Sequence, residues 1–340
     1  MSRYAPFVKP RPNPQSGAEW PWQFSLRDWR QIFTRVFKEI GNDNVGVVAA
    51  GVAFFSLLAV FPLITACLSI YGYFADPADA QAMLSKVSAV LPRDAWVLLN
   101  DQITTVVNQP NAKLGVGIAV GLLIALYSAG AGIRAIMRAM NIAYGEVESR
   151  GFAKFYALAG TMTLSMVLFV WVALAVIIGV PALLTLLKLE GIARLATRAM
   201  PWMLLVGLFG FASGILYRFG PSRRPAKKRW VYPGIIFTTL SWLLISAGFS
   251  FFVSRFGSYN ATYGSLSAVI VLLMWFWLTA FIVIIGAEIN AEMERQTHVD
   301  TTRGPDRPVG KRGAVVADFD AGHPKADPAD TAVSKGQRPS

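Results

Sequence analysis

The sequence predicts an all-α, polytopic membrane helix bundle. It has six transmembrane helices, an N-terminal amphipathic interfacial helix, and two short outer helices between spans 1 and 2. Three observations predict it. Charge is scarce: 15% of the 340 residues are charged and mean hydropathy is +0.46, against about 25% charged in an ordinary soluble chain. The scarcity is local, since only 24 of the 244 residues from 44 to 287 are charged, and six uncharged apolar stretches there are long enough to cross a bilayer core of about 30 Å. Finally, Lys and Arg alternate between successive connections, 25 on one face and 7 on the other. These features exclude an ordinary soluble enzyme. A single cysteine, Cys67 in an apolar run, excludes a disulfide framework.

Taken in order, residues 1–25 are polar and carry Pro6, Pro10, Pro12, Pro14 and Pro21, the composition of a disordered arm. No cleavable signal peptide is visible in them. Over 26–43, Leu26, Trp29, Phe33, Val36, Phe37 and Ile40 recur at helical spacing among Arg27, Arg30, Arg35 and Lys38. Such a helix lies on a membrane surface, or packs on the protein's own loops. The six-span domain, 44–294, follows. Its uncharged stretches lie within Asn44–Ala75, Leu114–Ile133, Phe155–Leu187, Ala199–Tyr217, Trp230–Ser254 and Ser265–Ala287. Lipid satisfies no backbone polar group, so these continuous runs are helices. The first and third exceed what a straight crossing needs, and Pro62 and Pro181 are candidate kinks. Between spans 1 and 2, Asp76-Pro77 starts one short amphipathic helix, and Trp96, Leu99, Ile103 and Val106 share the face of a second. Residues 295–340 mix Asp, Lys, Pro and Gly without period and read as a disordered tail. The excess of Lys and Arg places both termini on the cytoplasmic side of the membrane.

Candidate functional residues are few. The histidines, His298 and His323, fall in the C-terminal segment, and no metal-ligand cluster, nucleophile motif or phosphate loop is present. No cofactor is therefore expected, and no catalytic residue is assigned. Glu288 follows some twenty apolar residues of the sixth stretch directly, where an ionisable group needs a partner or water. Arg134 and Arg138, one turn apart at the inner end of span 2, are candidate partners; the pair reads as a structural bond or as a gate. The outer loop 256–264 concentrates Tyr259, Asn260 and Tyr263 between glycines, which suits an interfacial anchor or a headgroup contact. Arg223, Arg224, Lys227, Lys228 and Arg229 form the densest basic cluster, a topology determinant and a candidate anionic-lipid contact. Gly210 and Gly214, and the small residues Ala49, Ala53, Ser128 and Gly132, allow close helix packing. Membrane lipids are the expected partners and a homo-oligomer is allowed. Nucleic acid is not expected, because the basic charge is dispersed among loops.

Ordered motifs give a resemblance. Asp43-Asn44 with the run Ala49 to Pro62, Asn141-Ile142-Ala143-Tyr144-Gly145, and Tyr217-Arg218-Phe219-Gly220-Pro221 carry it, with Phe256 to Leu266 continuing to Trp275 and Gly286-Ala287-Glu288. Over roughly residues 25–295 the chain resembles the YihY/BrkB family of bacterial inner-membrane proteins. The resemblance implies about six spans and an envelope role, with transport or flipping of a lipid or envelope component as the leading function and a non-transporting scaffold as its rival. The ribonuclease BN label once attached to the family is not carried over, since no metal-ligand cluster in this chain supports it.

Overall fold

The computed structural model describes residues 16–74, 127, 130–255 and 265–319. The expected outer helices, most of span 2, the loop carrying Tyr259, Asn260 and Tyr263, and both chain extremities lie outside these residues. What is described is helical, with two isolated bridges. We number the helices α1 (Leu26–Asn42), α2 (Val45–Phe74), α3 (130–143), α4 (Phe152–Leu186), α5 (Glu190–Phe219), α6 (Lys228–Arg255), α7 (Ser265–Gln296) and α8 (Val315–Asp318). A single 3-10 turn, Pro21–Gln23, precedes them.

Ser25 starts α1 with a capping box: its hydroxyl accepts from the Asp28 N–H, and the Asp28 carboxylate takes the Ser25 N–H. The helix ends at Asn42, and Asn44 just beyond adopts a left-handed φ of 49°, a conformation Asn tolerates better than most residues. There the chain turns through 62° into α2. The sides of α1 differ. Ile32 and Val36 are buried, with Trp29 and Ile40 beside them, against Trp230, Ile289 and Met293, whereas Leu26, Phe33 and Phe37 face outward.

α7 is the central element, packed between α2 and α6 with α1 across its C-terminal end, while α4 packs on α5 and α5 on α6. The crossing of α6 and α7 is close. A Cβ on Gly234 would meet the Gly286 carbonyl oxygen and the Asn290 amide; one on Gly286 would meet the Thr238 and Tyr217 hydroxyls. Asn290 Oδ1 accepts from the Gly234 N–H at 2.8 Å, beside the in-helix Pro233. Tyr217 of α5 completes a three-helix clasp: its hydroxyl donates to the Val283 carbonyl at 2.9 Å and meets the Thr238 hydroxyl at 2.6 Å. Gly210 and Gly214 of α5 face Ile235 and Thr239 of α6. Farther along, Phe209, Trp242 and Trp275 link the same three helices through ring contacts of 4.5 and 5.9 Å.

Leu168, Val172, Met203, Phe211, Leu240, Leu244 and Phe251 point outward. Apolar surface on that scale belongs in lipid. Among the described residues, two helices are long and apolar enough to cross a membrane, Lys228–Val253 and Val269–Gln296, or three if the bent pair α1–α2 is one span. α2 and α4 continue past Pro62 and Pro181.

Two stretches differ from the expectation of disorder. Residues 16–25 and 297–319 are packed against each other and against the bundle, through the bridges Ser16–Thr297 and Ala226–Thr302. The reason is side-chain capping, which composition does not reveal. Asp300 accepts from the N–H groups of Thr302 and Arg307. Asp318 accepts from those of Gly310, Arg312 and Gly313. Buried Arg312 donates to the carbonyls of Arg307, Ala317 and His298. These bonds take the place of a backbone ladder.

Candidate functional site

Polar and charged side chains are concentrated at one end of the bundle, where α7 runs nine residues past Ala287, the end of its uncharged stretch. Those two and a half turns carry Glu288, Asn290, Glu292 and Glu294, each 0% exposed. Helical spacing aims them at different neighbours. Glu292 accepts from Arg35 Nε of α1 at 2.5 Å and from Arg295 at 2.7 Å. Arg35 also donates to the Glu292 carbonyl and to Gln296, whose own amide reaches Asp28 and Gln31 of α1.

Glu294 points to the connection between α5 and α6. Arg223 grips it with two bonds, 2.6 and 3.1 Å, and both side chains are wholly withdrawn from solvent. Paired donors in a planar fork suit a carboxylate. The Arg223 guanidinium lies 4.2 Å over the Tyr144 ring, and the Thr301 hydroxyl adds a 2.6 Å bond to Glu294. Burial works against the Arg223 charge, but Glu294 beside it outweighs that and holds it protonated. Burial also pushes the Tyr144 hydroxyl well above its ordinary value.

A second knot ties α3 to the same connection. Asn141 donates to Glu148 and accepts from the Ser222 N–H. Arg150 forks onto Glu148 at 2.6 and 2.7 Å and donates to the carbonyls of Phe219 and Gly220. Burial raises the Glu148 carboxyl, yet the bonds from Arg150 and Asn141 overcome it and hold the group at about 2. Buried Glu146 accepts from the Val315 N–H, fixing α8 to this end.

The family model for virulence factor BrkB matches residues 36–310 of this chain. The chain belongs to the BrkB family. A ribonuclease-like protein of Bacillus subtilis, YfkH, is 32% identical over 78% of this chain and 95% of its own length. A UPF0761 membrane protein of Methylibium petroleiphilum is 25% identical over 80% of this chain, which spans 62% of that longer protein. Another UPF0761 membrane protein, from Pseudoalteromonas translucida, is 23% identical over 80% of this chain and 88% of its own. No solved structure matches. The BrkB match takes in Arg223, Glu292, Glu294 and Asp300 and stops short of Arg35 and Arg312.

Within this BrkB protein, Glu288 is buried on α7 as its position demands. Arg134 and Arg138 have aromatic partners: Arg134 lies 4.9 Å over both Tyr127 and Tyr156, and Arg138 lies 5.8 Å over Phe155. The basic cluster 223–229 largely turns inward. Arg224 reaches Pro305, Lys227 reaches the Asp300 carbonyl and Asp306, and Arg229 lies over Trp20, leaving Lys228 exposed. Sequence reasoning did not single out Arg35, Glu292 and Glu294, because a charged residue on a helix reads as solvated until its partner is seen. Asn141, Tyr144 and Tyr217 stand out in the sequence only as members of motifs. Their polar groups beside apolar neighbours were the available signal.

Proposed function

We propose that this BrkB protein spans the bacterial inner membrane six times, with both termini cytoplasmic, and moves a lipid or another envelope component across it. The observation that carries this reading is the group of buried carboxylates ending α7. Ionisable residues at the end of a span are costly and mark pathways and gates. Here Glu292 joins α7 to α1, and Glu294 joins it to the α5–α6 connection. The ion pairs therefore close the cytoplasmic end, and movement of α7 requires that they part. α1 lies on the inner surface with Leu26, Phe33 and Phe37 toward lipid.

The test is lipid scrambling by the full chain in reconstituted vesicles, across several headgroup classes. Faster exchange than in empty vesicles, altered by Glu292→Gln, supports the reading. Exchange equal to empty vesicles in every class ends it.

One observation favours a non-transporting scaffold of the envelope: the same carboxylates are bonded to three different parts of the chain, α1, the α5–α6 connection and Thr301 beyond α7, as a permanent joint would be. A scaffold predicts no lipid exchange, with envelope integrity lost on deletion. The ribonuclease name of the Bacillus relative is not extended to this chain. Among the described residues no three His, Cys, Asp or Glu side chains are grouped to hold a metal ion, and Glu146, Glu148, Glu292, Glu294, Asp300 and Asp318 are engaged with arginines or backbone amides. RNA cleavage that survives further purification and depends on an intact chain would reinstate it.

A further inference from the structure

Between the start of α4, the end of α5 and the connection 220–225 lies a hollow of about 490 Å³. Arg150, Arg218, Arg223 and Arg224 line it with Ser149 and Ser222, and no Asp or Glu does. The arginines are unevenly satisfied. Arg150 is held by Glu148 and Arg223 by Glu294. Arg224 Nη1 stands 3.9 Å from Asp300, too far for a hydrogen bond. Arg218 forms no ion pair among the described residues and lies 5.4 Å over the Phe219 ring. Buried N–H groups of three of them, Arg218 Nε, Arg223 Nε and Arg224 Nη1, lack a hydrogen-bond partner. An unmade bond at a buried charged donor is costly, so such groups together call for an acceptor.

The geometry points to a binding site for a phosphate group in this hollow. Four guanidinium groups line the hollow, and none of the carboxylates near them, Glu146, Glu148, Glu294 and Asp300, does. Arg218 and Arg224, which hold no carboxylate at hydrogen-bond distance, present planar groups that match phosphate oxygens, Arg223 Nε adds a donor, and the two serine hydroxyls, 2.9 Å apart, supply further polar contacts. α4 begins at Phe152, two residues after Arg150, which brings the positive end of its dipole to the rim. The phosphate is either that of an anionic lipid headgroup or a free one. The site rests on its own geometry and holds whether or not the protein moves lipid.

The experiment uses the purified full chain. Inorganic phosphate is titrated in detergent and read by calorimetry. Retained phosphatidylglycerol is counted by native mass spectrometry after extraction from vesicles of mixed phosphatidylglycerol and phosphatidylcholine. Arg218→Gln is expected to weaken phosphate binding, or to reduce phosphatidylglycerol retention, about tenfold, the effect of one charge-assisted bond. Lys311→Gln, the same charge change at an exposed residue outside the lining, is expected to leave both unchanged. Binding of phosphate without retained lipid assigns the site to a free phosphate; retained phosphatidylglycerol assigns it to a headgroup. Melting temperature without ligand checks folding, and Arg224→Gln is the second variant should Arg218→Gln not fold. Wild-type protein that takes up neither phosphate nor phosphatidylglycerol, or folded variants that bind as wild type does, would overturn the proposal.

Discussion

Arg223 and Glu294 hold each other through two bonds with no solvent at either side chain. Removing one partner leaves the other charged and buried, which typically costs about 3–5 kcal/mol. Glu294→Gln is therefore expected to lower the melting temperature of the detergent-purified protein sharply. The double change Arg223→Met with Glu294→Leu is expected to cost less than Glu294→Gln alone, because it leaves no orphaned charge. Glu148 gives a pH signature. Its carboxyl is held at about 2 in the fold against an ordinary 4.5. The stabilisation it confers is thus complete above about 4.5 and is lost as pH falls toward 2. The melting-temperature gap between wild type and Glu148→Gln is expected to stay constant above that range and to narrow below it. At this scale the sequence was only partly legible. Glu288 stood out because apolar residues precede it, but Arg35 and Glu292 are 257 positions apart, and nothing local to either announces the bond.

Among the helices, the meeting of α6 and α7 is the most sensitive to a single added methyl. At Gly234 a Cβ would strike the Gly286 carbonyl, which is backbone and cannot swing aside. Gly234→Ala is expected to destabilise by about 1–3 kcal/mol, the usual cost of overpacking, seen as a lower melting temperature and reduced folded yield. The apolar runs located α2, α4, α6 and α7 well, because absence of charge is a property of the run itself. Their ends were less legible. α5 starts at Glu190, ahead of the expected Ala199, and α7 continues to Gln296 rather than stopping at Ala287. Charged residues extend both helices. On α7 they find partners on other elements, so hydropathy falls while the helix persists. The order in residues 297–319 was hidden for the same reason, since its capping aspartates act on backbone a few residues away.

Across the whole molecule, the segments richest in Lys and Arg come together. The N-terminal stretch meets Thr297, the connection after α5 meets Thr302, and Glu146, after α3, meets α8. The sequence count had put these on one side of the membrane, and reporter fusions at residues 20 and 305 are expected to signal from the cytoplasm together. A split result would contradict both the count and the packing. The joints at this end also differ in how they feel dissolved ions. At 1 M ionic strength the Debye length shrinks to about 3 Å, and the Lys227–Asp306 contact, whose carboxylate is 71% exposed, is open to that screening. The Arg223–Glu294 joint, with Thr301 bonded to the same buried carboxylate and Val315 to buried Glu146, admits no electrolyte, so a brine wash that strips electrostatically held peripheral proteins leaves residues 297–319 clamped to the bundle.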